Sequence, residues 1–247
     1  MTEEFDVAAA ARSLLQVRDG GPRPAGLPVS PPDTAAAYAV QRAVIRQLGG
    51  GAWKMALLAG RDRHAAALPG RLVAASGETL PALPRDACIE VETALILGTD
   101  LHLGADPDRV MAAIGEVRLC FEIVASRFAD RTAVRPLEAM ADAFSSGGIV
   151  LGDTLDNWRE ALRGPLGIRL WLDDRPIQAS ETLQDLDDAL SFLSWLADHA
   201  AGQGMPLRKG DVVITGARLG PLPLEDAGTA RASADGAEVA VNLVPAV

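Results

Sequence analysis

Residues 89–97 read Ile-Glu-Val-Glu-Thr-Ala-Leu-Ile-Leu, and the fold turns on how this stretch is read. Its β-branched and aliphatic composition marks a strand. Side chains alternate across a strand, so Glu90 and Glu92 share one face while Ile89, Val91 and Thr93 share the other. The glutamate face continues as Ala94 and Ile96, which is not the pattern of a plain solvent face. Two carboxylates on a half-apolar face repel each other and are costly to desolvate unless a cation neutralises them. The pair alone fits the wet face of an antiparallel strand equally well. A second apolar run, 117–126 (VRLCFEIVAS), decides between the two, because it holds a lone acid, Glu122, in parity with Cys120 and Val124. An acid inside so apolar a run is poorly explained as solvated. Three carboxylates on two strands predict the oxygen ligands of a hard divalent ion such as Mg²⁺.

The chain has 247 residues, enough for one large domain or for a small unit beside a main one. Apolar residues make up 49%, which allows a substantial core and excludes wholesale disorder. The net charge of −10 argues against a nucleic-acid or anionic-membrane partner. Lys54 and Lys209 are the only lysines. Cys88 and Cys120 lie in or beside the acid-bearing strands and read as buried small hydrophobes, with no disulfide framework around them. The first residues are acidic and lack the basic start and apolar centre of a signal peptide, and no run reaches membrane-spanning length. A cytoplasmic location is therefore expected.

Residues 3–17 are rich in helix formers, with Phe5, Ala8, Leu14 and Leu15 as an apolar stripe, and Asp19-Gly20-Gly21-Pro22 stops them. Asp33 is the expected N-cap of a helix over 34–48. Residues 53–58 (WKMALL) are apolar around Lys54, which either snorkels to the surface or faces an anionic substrate. Residues 60–71 are polar and bounded by Gly and Pro, so a lid loop carrying His64 is expected. A helix after Asp106, a turn with Ser145 and Ser146 over 142–152, and a hairpin at Asp173-Asp174 follow. A helix over 186–199, a buried strand in 210–216 and a closing strand over 238–244 complete the chain. Strands and helices do not alternate regularly, which favours α+β over a doubly wound sheet.

Several segments, taken in order, carry a resemblance over nearly the whole chain. They are AYAVQ (37–41), Lys54, IEVETALIL (89–97), FEIVASRFAD (121–130), DAFSSGGIVLG (142–152) and GMPLRKGDVVITGARLGPLPLEDAG (204–228). Together they resemble the fumarylacetoacetate hydrolase superfamily, most closely its 2-keto-4-pentenoate hydratase / 4-oxalocrotonate decarboxylase branch. The acid spacing is the specific part. The resemblance implies a mixed β-sheet roll with an N-terminal helical segment, residues 1–50, before a catalytic domain, residues 51–247. It implies Mg²⁺ or Mn²⁺ held by Glu90, Glu92 and Glu122, and a 2-oxo acid chelated through its carboxylate and keto oxygens. Lys54 becomes the catalytic lysine, adding electrostatic stabilisation or moving a proton from a depressed pKa, and Leu57, Ser145 and Thr215 become substrate contacts. A homo-oligomer, associating with a related pathway enzyme, is also implied.

The departures surround the substrate rather than the metal. Ala56 and Leu58 stand where the branch has Gly and Thr, residues 67–70 (ALPG) lack the acid of the branch lid, and Ala143 replaces an Asn. A different stretch, 178–187, stands before the late helix where the branch carries a Gly-rich motif. The expected activity is hydration of a small unsaturated 2-oxo acid such as 2-hydroxypenta-2,4-dienoate. Decarboxylation of the 4-oxalocrotonate type is the alternative, then acylpyruvate hydrolysis with His64 as base, then a catalytically degenerate partner subunit.

Overall fold

The computed structural model describes residues 4–58, 60, 62–183 and 186–244. Of the stretches singled out from sequence, residues 1–3, Arg61, Asp185 and residues 245–247 lie outside the described residues. Two helices open the chain, α1 (Val7–Arg18) and α2 (Thr34–Leu48), each started by an aspartate. Asp6 accepts from the backbone N–H groups of Ala8 and Ala9, and Asp33 from that of Ala36. These bonds satisfy donors that a first helical turn leaves open. Ala10, Ala11, Leu14 and Leu15 form the buried stripe of α1, so Ala8 is not on it. That stripe meets Tyr38, Val40 and Val44 of α2 and closes on Phe128 and Met140.

The strands then follow: β1 (Gly51–Leu58), β2 (Asp62–Pro69), β3 (Val73–Ala75), β4 (Thr79–Leu80) and β5 (Cys88–Leu97). Helix α3 (Pro107–Ala113), N-capped by Asp106, runs into β6 (Ile114–Val124). Helix α4 (Pro136–Ala141) and a 3-10 turn at Ala143–Ser145 run into β7 (Ser146–Thr154). The short α5 (Trp158–Ala161) precedes the hairpin of β8 (Pro165–Leu172) and β9 (Arg175–Leu183). Helix α6 (Leu186–Gly202) and strands β10 (Val212–Ile214), β11 (Leu219–Pro223), β12 (Thr229–Ala234) and β13 (Ala237–Leu243) complete the chain.

The strands form two sheets. An eight-stranded sheet has the order β2-β1-β10-β5-β6-β7-β3, with β11 also paired to β5; a five-stranded sheet has the order β4-β13-β12-β8-β9. Pairs β1–β10, β3–β7 and β4–β13 are parallel and the rest antiparallel, giving a mixed α+β roll without βαβ units. Strand β5 shows how the sheets are held together. Its Ile89, Val91 and Leu95 join Leu119 and Phe121 of β6 and Ile168, Leu170 and Val239 of the second sheet in one core. At Gly152 the sheets approach so closely that a Cβ would stand 2.4 Å from the Glu238 carbonyl oxygen, which explains the glycine. The opposite face of β5, carrying Glu90, Glu92 and Ala94, looks onto small residues such as Ala52, Ala66 and Cys120.

Residues 60–71 depart from the expected lid loop. Most of them form β2, paired with β1 from Gly51↔Pro69 to Leu58↔Asp62. Ala65 to Pro69 are buried, so pairing and burial override the low strand propensity of alanine. Among the described residues no helix is long and apolar enough to cross a membrane.

Candidate metal centre

In the β5–β6 ladder Glu90 lies directly across from Glu122, and Glu92 across from Cys120. One carboxylate oxygen from each glutamate lies within 4.8 Å of the others. Glu92 and Glu122 have no solvent exposure, and Glu90 has 9%. Like charges placed opposite each other destabilise a sheet, so this cluster needs compensation. Part of it comes from Lys54, whose Nζ donates to the two Glu122 oxygens at 2.8 and 2.7 Å. Lys54 sits on β1, three positions from β6 in the sheet order. In a flat sheet those backbones would stand about 14 Å apart. The ion pair is reached because the sheet curls around the cluster.

The remaining charge is not balanced. Burial pushes the Glu90 carboxyl up to about 7, with Glu122 adding to the rise and Lys54 opposing it. Glu92 is raised well above the usual carboxylate range, first by burial and then by Glu122. Gly216 N–H donates to Glu92 Oε2 at 2.7 Å, while Glu92 Oε1 is buried with no hydrogen-bond donor among the described residues. A buried carboxylate oxygen in that state is costly unless a cation meets it. Lys54 departs from expectation in sign. Burial alone would pull its pKa down, but Glu122, Glu92 and Glu90 together outweigh burial and hold it above the ordinary lysine value. A buried, all-carboxylate donor set with one oxygen lacking a donor fits a hard divalent ion.

A break in the sheet makes room beside the acids. Ile214 of β10 pairs with Ala94 and Leu219 of β11 with Val91, so the four residues Thr215 to Arg218 lie opposite only Glu92 and Thr93. The surplus bulges away from β5 between two backbone bonds, Thr215 N–H to Thr93 O and Arg218 N–H to Val91 O. Bulges of this kind re-aim side chains. The result is a cavity of about 620 Å³ with Lys54, Glu90 and Glu92 on its wall beside Thr215, Gly216, Ala217 and Arg218. Leu57 of β1, 53% exposed, and Ala189 and Phe192 of α6 add an apolar wall.

The residues expected to touch substrate therefore divide. Leu57 and Thr215 line this cavity and Ser145 does not. Ser145 lies on the 3-10 turn after Asp142, with φ at +65°, and its carbonyl accepts from Ala125 N–H. That turn is held by a buried ion pair. Arg127 donates to Asp142, Ala125 O and Ser146 O, and Asp142 also accepts from Ser126 Oγ. His64 does not line the cavity either; its Nδ1 is 3.4 Å from Tyr38 Oη. Sequence reasoning missed Arg218 and the α6 contribution. Arg218 is 7% exposed, and burial lowers its guanidinium to about 10 against the opposing pull of Glu92 and Cys120.

Curled sheet and acidic centre together define the class. The chain belongs to the fumarylacetoacetate hydrolase family, whose model, fumarylacetoacetate (FAA) hydrolase C-terminal, matches residues 63–244. A 2-keto-4-pentenoate hydratase of Burkholderia vietnamiensis is 36% identical over 116 residues, 47% of this chain and 44% of that protein. The match thus spans less than half the length of that relative. Among solved structures, 4-oxalocrotonate decarboxylase from Pseudomonas putida G7, complexed with magnesium and adipate, has a TM-score of 0.79 at 19% identity, covering 98% of this chain and 100% of the other. The same decarboxylase complexed with calcium and acetate gives 0.76 at 20% identity, over the same coverage.

Proposed function

We propose that this chain is a metal-dependent hydro-lyase that adds water to a small unsaturated 2-oxo acid of the 2-hydroxypenta-2,4-dienoate type. The observation carrying this reading is the convergence of three buried carboxylates beside a cavity, with one carboxylate oxygen left without a donor. Glu90, Glu92 and Glu122 would hold Mg²⁺ or Mn²⁺. A divalent ion there supplies Lewis-acid stabilisation of the negative charge that develops on the 2-oxo oxygen. The solved relatives complexed with magnesium or calcium support a divalent ion of this type, and the hydratase relative supports the reaction.

The chain's own groups divide the remaining work. Lys54, whose Nζ donates to both Glu122 oxygens, presents its ammonium to the reacting oxygen as an electrostatic stabiliser. Gly216 N–H fixes the orientation of Glu92. Thr215 Oγ1 is anchored 2.9 Å from Thr93 Oγ1 and presents a polar edge to the cavity. Leu57, Ala189 and Phe192 exclude water from the hydrocarbon part of the substrate. Ser145, outside the cavity wall, acts through the turn that supports β7. Decarboxylation of a 4-oxalocrotonate-type acid is the second reading, favoured by the fold neighbour.

Two measurements test this. Calorimetric titration with Mg²⁺ should show binding to the chain and none to Glu122→Ala, which should also lose turnover; full activity in that variant would refute the metal role. Assay of one pentadienoate-type and one 2-hydroxymuconate-type substrate separates hydration from decarboxylation.

A further inference from the structure

Arg218 is a buried cation on the cavity wall that the proposed reaction does not use. Its place is set by the backbone: its N–H donates to Val91 O at 2.9 Å and the next residue, Leu219, pairs with Val91. The side chain is thereby delivered at the level of Glu92, with Glu92 and Cys120 as its electrostatic neighbours. The residues lining the cavity include two cations, Lys54 and Arg218, and three acids, Glu90, Glu92 and Asp188. Lys54 is bonded to both oxygens of Glu122, and Arg218 places a guanidinium on the wall that an incoming anion meets.

We propose that Arg218 is a specificity residue that binds the carboxylate of the 2-oxo acid at the cavity wall, leaving the hydrocarbon tail to Leu57, Ala189 and Phe192. The planar guanidinium suits a carboxylate better than any other side chain does. This assignment rests on the metal-centre reading above and adds the substrate's anchor to it.

The test uses Mn²⁺ as the metal probe, followed by electron paramagnetic resonance of the free ion. It uses 2-oxopentanoate, a saturated 2-oxo acid, as the anion probe by calorimetry on the Mn²⁺-loaded chain. In Arg218→Gln, Mn²⁺ affinity should hold or tighten, because a neighbouring positive charge is gone, while 2-oxopentanoate affinity falls by about tenfold or more. Arg218→Lys should recover part of the loss. Undiminished 2-oxopentanoate binding in Arg218→Gln would overturn the proposal. So would a parallel loss of Mn²⁺, since Arg218 would then merely support Glu92. If Arg218→Gln does not fold, Arg218→Lys decides alone: weaker 2-oxopentanoate binding with unchanged Mn²⁺ supports the proposal, and unchanged binding of both removes it. A parent chain that binds no Mn²⁺ would instead fail the metal centre itself, and this assignment with it.

Discussion

Arg127 and Asp142 form one buried ion pair and Lys54 and Glu122 another, and the contrast between them separates structure from function. Around Arg127 every demand is met. The guanidinium donates to the Asp142 carboxylate and to the carbonyls of Ala125, Asp142 and Ser146, while Asp142 also receives Ser126 Oγ and Arg127 N–H. Arg18 is a second cation nearby, lowered to about 9 by burial and by Arg127 and drawn the other way by Asp142, and the Arg127–Asp142 pair pins the turn between α4 and β7. Around Lys54 one ammonium faces three carboxylates, and an oxygen of Glu92 has no donor among the described residues. A saturated pair completes a scaffold, whereas an over-acidic cluster is complete only with a further cation.

Breaking the saturated pair should have the largest effect on stability. Asp142→Ala leaves Arg127 buried and uncompensated, and the expected cost is about 3–5 kcal/mol in chemical denaturation. A loss below about 1 kcal/mol would show that the pair is less integral than its hydrogen bonds indicate. The over-acidic cluster should respond with the opposite sign. In metal-free protein at pH 8, Glu92→Gln removes a repelled charge and should stabilise the fold by about 1 kcal/mol or more, measured by the same denaturation. The contrast sharpens further with pH. Glu90 and Glu92 hold protons more tightly in the folded chain than in the unfolded one, Glu90 to about 7 against 4.5. The folded state therefore binds more protons across that window, and metal-free stability should fall as pH rises from about 4.5 through 7. Added Mg²⁺ should flatten the dependence at the upper end, because it neutralises the carboxylates instead of protons. A melting temperature that rises with pH in the metal-free chain would contradict this account.

The centre was legible in sequence to the extent that it follows from alternation within single strands. Glu90 and Glu92 share a face because they are two apart, and Glu122 stood out because its neighbours are apolar. Asp33 and Asp106 are N-caps, which is likewise local chemistry, whereas Asp6, inside the helix expected over 3–17, caps a helix that begins only at Val7. The β12–β13 hairpin carried a readable signal in Asp235-Gly236, both at positive φ, but the alanine and serine content of β12 hid the strand before it. Residues 60–71 look like a lid in sequence because they are polar and bounded by Gly and Pro. The true state of β2 depends on pairing with β1, which no local pattern records. Arg218 illustrates the same limit. Its delivery to the cavity requires two separate short strands, β10 and β11, to dock on one longer strand out of step. The sign of the Lys54 shift was also unreadable, since it is set by three acids from two other strands.

That out-of-step docking has an evolutionary corollary. Between Thr215 and Arg218 the chain carries slack that neither flanking ladder needs. Thr215, Gly216 and Arg218 are tied to β5 through Thr93, Glu92 and Val91, so the slack is at Ala217, where the chain can be exchanged or lengthened while the acid-bearing strands stay in step. Selection, or an engineer, can therefore retune which molecule enters this pocket without disturbing the carboxylate trio beneath it.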